Sequence, residues 1–337
     1  MSRTIELSTR WLGLNLPNPI IASACPQNAE LDLLKQLEDA GAAAAVMPSL
    51  FEEQIEFEEW QFGGLTDYGA ESFVEAGSYF PALTNYNSGP DQYLENIERA
   101  RKAVSIPIIG SLNGVTRGGW TRFARQIESA GASALELNMY YLPTDPKITS
   151  AQIEETYLDL VREVKSNISI QLGVKIGPFF SSLPNFAARL VEAGADGLIL
   201  FNRFLQPDLK NDLTEIEPLL SLSDHREIRL PLRWIAILFG RIQTSLAATS
   251  GVSSGEDVIK MLLSGADVTM ITSIIMKKGP GIITEMLNHM QHWMREHGYR
   301  SVEQLKGSMS HRNCPNPAAL ERSNYMKALT SFQSRQA

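Results

Sequence analysis

A lysine sits inside an apolar run, Val174-Lys175-Ile176-Gly177-Pro178. Burying its ammonium without a partner is costly. Two readings follow. Lys175 pairs with a carboxylate, Glu136 or Asp196, and serves structure. Alternatively it stands beside an anion or an electron-rich ring, the favoured reading. Three asparagines close other short runs: Asn113 after Gly110-Ser111-Leu112, Asn138 after Glu136-Leu137, and Asn202 after Phe201. Each amide offers both a donor and an acceptor. Two further runs end in small residues, Ala248-Thr249-Ser250-Gly251 and Ile271-Thr272-Ser273. Backbone N–H groups at such residues can point at phosphate oxygens without side-chain obstruction. Ala22 and Ser23, in Ala22-Ser23-Ala24, are small enough to let a flat ring approach the backbone, or simply to pack tightly.

These residues do chemistry together only if the fold gathers them, and a repeated phrase indicates how. Ala40-Gly41-Ala42, Ala130-Gly131-Ala132, Ala193-Gly194-Ala195 and Ser264-Gly265-Ala266 each end an amphipathic helix and lead into a short apolar run. The Gly suits a left-handed helix cap, and the pattern predicts helices feeding buried parallel strands. The uneven spacing excludes a solenoid. Strands are predicted at 20–24, 44–48, 106–112, 134–139, 171–176, 197–202, 245–249 and 268–273. Helices are predicted at 30–40, 91–104, 119–130, 150–166, 183–193, 231–242, 255–264 and 280–297. Eight strands, each followed by a helix, predict an α/β fold, a (β/α)8 TIM barrel with a long insertion after strand two; a doubly wound open sheet is the alternative. In a barrel, every strand end named above falls on one mouth.

Two connections, 49–90 and 202–230, are far longer than usual and read as covers over that mouth. The first holds FEEQIEFEEWQF, read as a short helix with Phe51, Ile55 and Phe62 inward. Its glutamates read as a solvated face rather than a metal site, and no metal is expected. The tail after Tyr299 is expected to pack over the barrel.

The chain of 337 residues, 44% hydrophobic, has material for one large barrel domain spanning 1–337. Its net charge of −8 argues against nucleic acid or an anionic membrane as partner. It has no apolar stretch of transmembrane length and no signal-peptide pattern. The two cysteines, Cys25 and Cys314, lie far apart, cannot by themselves ligate an iron–sulfur cluster, and are expected to be free thiols in a cytoplasmic protein.

From LNLPNPIIASA to GADVTMITS and the helix beyond, the chain resembles the dihydroorotate dehydrogenase family of FMN-dependent barrels, and most closely its dihydroorotate dehydrogenase-like branch. The resemblance implies FMN, with its phosphate on Ser250-Gly251 and Thr272-Ser273, Ala22 and Ser23 flanking the ring, and Asn138 and Lys175 on its polar edge. A cation there stabilises the charge of the reduced ring. Ser49, Asn113 and Asn202 are implied to face the flavin or substrate. Three positions depart from the family pattern. The Lys of a Lys-Ser pair after strand two is Pro48, before Ser49. The Cys or Ser base falls on Tyr141, and a Gly-Gly turn is Ser250-Gly251. Tyr140 or Tyr141 is therefore the candidate acid/base, although a phenol with a pKa near 10 needs activation; space-filling is the competing reading.

For substrate, Asn85 and Asn87 are candidates for paired amide contacts to a pyrimidine-like ring, or are turn residues. Arg203 is a candidate for bidentate carboxylate binding. The expected function is an FMN oxidoreductase acting on a C–C bond of a dihydropyrimidine-like ring, within pyrimidine metabolism. The alternatives are a flavin-binding homologue without dihydroorotate activity, and a flavin-free phosphate-binding lyase or synthase. No dinucleotide fingerprint marks an electron acceptor. A homodimer is expected.

Overall fold

The computed structural model describes residues 5–56, 89–203, 208–209, 216–217, 221–317, 325–326 and 329. Eight parallel strands form its centre: β1 (Ile20–Ala22), β2 (Ala44–Val46), β3 (Ile108–Asn113), β4 (Ala134–Asn138), β5 (Gln171–Ile176), β6 (Gly197–Leu200), β7 (Ser245–Thr249) and β8 (Val268–Ile271). Each pairs with the next in chain order. β8 pairs with β1 through Met270 and Ile21, and β2 with β3 through Val46 and Ile109, so the sheet closes. The barrel is therefore as expected, and the open sheet is excluded.

The helices lie between strands: α1 (Leu31–Asp39), α2 (Pro90–Ala103), α3 (Phe123–Ser129), α4 (Ser150–Asn167), α5 (Leu183–Glu192), α6 (Arg229–Leu238) and α7 (Gly255–Ser264). After β8 come a short α8 (Ser273–Lys278) and a long α9 (Ile282–Glu296). Residue 273, read from sequence as the end of a strand, instead opens a helix. The strands expected to reach residues 24 and 202 stop at Ala22 and Leu200. Beyond them single backbone bonds persist, from the Ser23 N–H to Ile271 at 2.9 Å and from the Asn202 N–H to Ile176 at 2.7 Å, but the ladder does not.

The repeated phrase has one geometry. Gly41, Gly131, Gly194 and Gly265 all have positive φ, from 95° to 121°. The alanine after each donates its N–H five residues back, as Ala42 does to Leu37 at 2.9 Å and Ala266 to Met261 at 3.0 Å. This closure satisfies helix-end carbonyls and turns the chain into the next strand.

Alternation along each strand divides two cores. Ile20, Ala22, Ala45, Ile108, Leu135, Leu172 and Leu198 pack outward with the helices. Ile21, Ala44, Val46, Ile109, Ala134, Ile199, Ala247, Val268 and Met270 form the inner cluster with Trp11, Leu12 and Leu16. Those last three come from a hairpin, Thr9–Trp11 with Leu14–Leu16, that sequence reading did not foresee. Its two-residue loop puts Leu12 and Gly13 at φ 46° and 71°, the signature of a tight hairpin turn. A Cβ on Gly173 or Gly197 would lie 3.1 or 2.6 Å from a Leu12 methyl. These glycines of β5 and β6 thus make the space that Leu12 fills at the barrel floor.

The equivalent caps differ in surroundings, and this is testable. A Cβ on Gly265 would meet the Phe239 ring at 2.4 Å, whereas one on Gly41 meets only the end of Leu287 at 3.0 Å. Gly41→Ala should destabilise by about 1–2 kcal/mol, the left-handed backbone penalty. Gly265→Ala should lose visibly more in thermal denaturation; equal losses would mean that the Phe239 contact is soft.

Candidate functional site

Inward parity accounts for the polar groups at the C-terminal mouth. Glu136 and Asn138 follow Ala134 on the inner side of β4, and Lys175 follows Gly173 on β5. The register sets Asn113, Asn138 and Lys175 side by side on β3, β4 and β5. Lys175 is 8% exposed and Glu136 0%, with the Lys175 Nζ 3.3 Å from Glu136 Oε1. The other possible partner, Asp196, bonds Lys165 at 2.6 Å instead. Asn202 Nδ2 donates to Asn138 Oδ1 at 2.8 Å, joining β4 to the chain beyond β6.

A cleft opens beside this group, lined by Ser23, Lys175, Asn202, Arg203, Ser250, Gly251, Thr272 and Ser273 among others. Ser250 and Gly251 both have positive φ, 77° and 76°. A Cβ on Gly251 would lie 2.3 Å from the backbone nitrogen of Ile228, so only glycine lets this loop sit against the start of α6. Ser250 Oγ donates to the Phe201 carbonyl at 3.3 Å. Thr272 Oγ1 donates to the Ser23 carbonyl at 3.1 Å, tying the end of β8 to β1.

Ser223 was not foreseen. Its N–H donates to Ser273 Oγ at 3.1 Å, its own hydroxyl lies 2.9 Å from the same oxygen, and Lys277 Nζ holds its carbonyl at 3.0 Å. Ser223, from the described end of the connection after β6, therefore lines the cleft. The signal was the pair Asp224 and Glu227, a capping box before an apolar run. Asn28 was missed too: its buried amide donates to the carbonyls of Ser23 and Val46, at 2.9 and 2.7 Å, and so spaces the ends of β1 and β2.

Other expected residues lie elsewhere. Ala22 faces the outer core, so the small residues at the cleft are Ser23 and Ala24. Ser49 is buried, its hydroxyl 2.8 Å from that of Ser111, and is not among the cleft-lining residues. The chain bends after β2, so that Leu50–Phe51 pairs with β3, and this turns Ser49 inward to Ser111. Arg203 reaches the cleft, but its guanidinium is held by Glu227 at 2.8 Å and by the Ser221 carbonyl. Tyr140 and Tyr141 are half-buried past β4. Tyr141 packs on the outer core, and its backbone meets the hydroxyl of Tyr157, which burial pushes up to about 12. The space-filling reading of Tyr141 gains from this packing. Asn85, Asn87 and Phe62 lie outside the described residues.

The glutamate cluster needs correction at one position. Glu53 and Glu56 are exposed, as a solvated face requires, but Glu52 is buried. Its Oε2 accepts from the N–H groups of Val115 and Thr116, at 3.0 and 3.1 Å, and from the Thr116 hydroxyl. The carboxylate anchors the loop after Asn113, which outweighs its preference for water. Ile55 is buried as expected.

A closed barrel with a buried lysine lining its mouth, and Gly/hydroxyl loops after strands seven and eight, has the layout of barrels that bind phosphorylated ligands at this end. Comparison with known proteins gives the family. A profile described as dihydroorotate dehydrogenase matches residues 82–294, and the chain belongs to this family. It is thus an oxidoreductase acting on CH–CH groups. Its relatives include two proteins named dihydroorotate dehydrogenase B (NAD(+)), catalytic subunit. That of Thermoplasma volcanium is 25% identical, over 90% of this chain and 98% of its own length. That of Bacillus pumilus is 27% identical, over 89% and 96%.

Burial raises the Glu52 carboxyl above its ordinary range, with the loop hydrogen bonds opposing the shift. A carboxyl raised by folding favours the native state below its unfolded pKa and loses that contribution as pH rises through the folded value. Stability of the wild type should therefore fall from acidic to neutral pH by a component missing in Glu52→Gln. Glu52→Ala should cost about 1–3 kcal/mol at neutral pH, the penalty of stranding the loop N–H groups. Denaturant titration at several pH values checks both; parallel pH profiles for wild type and Glu52→Gln would refute the first.

Proposed function

We propose that this protein is an FMN-dependent oxidoreductase that acts on a C–C bond of a dihydropyrimidine-like ring. The observation that carries the reading is the meeting, in one cleft, of the buried Lys175 ammonium with the small-residue loops after β7 and β8. The donor set suits the cofactor. Lys175 and Asn138 would hold the polar edge of the ring, and Ser23 would lie against it. Ser250, Gly251, Thr272, Ser273 and the unforeseen Ser223 would hold the phosphate. The Gly251 contact supports this, since a side chain there would push the loop off α6. When bound, FMN supplies hydride transfer at the ring.

The protein's own tasks are then to orient the substrate and to take a carbon-bound proton. Tyr140 and Tyr141 stand nearest in sequence to that second role. Asn113, Asn202 and Arg203 are proposed to orient the substrate; Arg203 would first have to leave Glu227. A second reading, a flavin-binding homologue that does not turn over dihydroorotate, is favoured by Pro48, two residues past β2, and by the core packing of Tyr141. We also propose a homodimer, to be checked by light scattering.

Purified protein should be yellow and release one FMN per chain on denaturation. Gly251→Ala should weaken FMN binding about tenfold or more, read by fluorescence titration of the apoprotein. A colourless protein that FMN cannot reconstitute would sink the flavin reading. Anaerobic mixing with dihydroorotate separates the two alternatives: rapid bleaching supports the dehydrogenase, and an unreduced flavin supports the second reading. If Tyr141 is the base, Tyr141→Phe slows bleaching by about 10²-fold or more; an unchanged rate removes it from the mechanism.

A further inference from the structure

Glu136 is the most deeply placed charged group of the mouth, fully buried with Lys175 as its partner. The geometry of the pair is incomplete. The Nζ–Oε1 distance of 3.3 Å is long beside the 2.7–2.9 Å usual for charge-assisted bonds. Only one carboxylate oxygen is engaged; Oε2 is buried without a hydrogen-bond partner among the described residues. A purely structural ion pair in so dry a place needs close contact and full hydrogen bonding to offset desolvation. This one has neither. The ammonium, with three donors, therefore keeps hydrogens free for the cleft that it lines.

From this we infer that Glu136 is a positioning residue which, through Lys175, sets the reduction potential of the bound flavin. The inference rests on the FMN reading above. Lys175 brings positive charge to the ring's polar edge, where reduction adds negative charge. The Glu136 carboxylate lies behind it and cancels part of that field, more strongly in the barrel interior than it would in water. Glu136 therefore holds the potential down, and its loss should raise it. A residue that only supported Lys175 sterically would produce no such signed shift.

The test uses the FMN-loaded chain and its Glu136→Gln variant, which keeps shape and removes charge. Potentials are read by equilibration with redox dyes, and FMN content by absorbance. The variant should favour reduced over oxidised flavin about tenfold relative to wild type, an upward shift of about 30 mV for a two-electron couple. An unmoved or lowered potential with full FMN content overturns the inference and leaves the flavin reading standing. Wild-type protein that takes up no FMN overturns both. Should Glu136→Gln fail to fold, Glu136→Asp decides. It draws the carboxylate back by one methylene and should raise the potential by a smaller amount; no rise there also overturns the inference.

Discussion

Closing eight parallel strands into a barrel commits every second residue to the interior. That constraint organises the rest of the molecule. On the lower part of the strands the inward positions are mostly Ile, Val, Ala, Met or Gly, with Gln171 and Ser245 opening β5 and β7, and the apolar ones pack with Leu12 and Trp11. One or two steps higher, the same positions carry Ser111, Glu136, Lys175 and Thr249, and then Asn113 and Asn138. The change from apolar to polar along one parity marks where packing ends and ligand chemistry begins. A lysine at that border must find an anion, and Glu136 is the one supplied by the fold.

The site is also a product of distant segments pinned together. Thr272 bonds the Ser23 carbonyl, Ser273 bonds Ser223, and Gly251 rests on the start of α6. The first two are side-chain to backbone ties between strand ends and loops and the third is backbone packing; none extends the sheet. They hold the irregular rim of the barrel where ladder hydrogen bonds have stopped, and so carry the precision that a cofactor demands.

The scaffold was legible in the sequence because its signals are local. A helix cap and a buried strand lie within ten residues of each other, and Gly41, Gly131, Gly194 and Gly265 each announce one such join. The mouth was legible at strand ends for the same reason, as with Asn138 and Lys175. Residues failed where the chain leaves the strand period. Ser49 follows a bend that resets which way side chains point, and Glu52 lies in a helical turn whose hydrogen-bond partners are sixty residues away. Ser223 meets Ser273 from fifty residues away, and no periodicity reports such a contact. Pro48 and Tyr141 were legible as departures from a family pattern, but their consequence is chemical and not written in spacing.

The hairpin at the barrel floor has a consequence for how the protein is made. Trp11, Leu12 and Leu16 are translated long before Gly173 and Gly197, which house Leu12. Strands β5 and β6 must be translated before that socket exists. Until then a buried Trp and two leucines have no native partner, and the nascent chain carries them exposed. The last strands to appear, β7 and β8, both seal the ring and supply the loops of the cleft. A chain stopped before β5 therefore carries the hairpin without its socket, and lacks the closure and the cleft as well, which makes assembly of this barrel a late event.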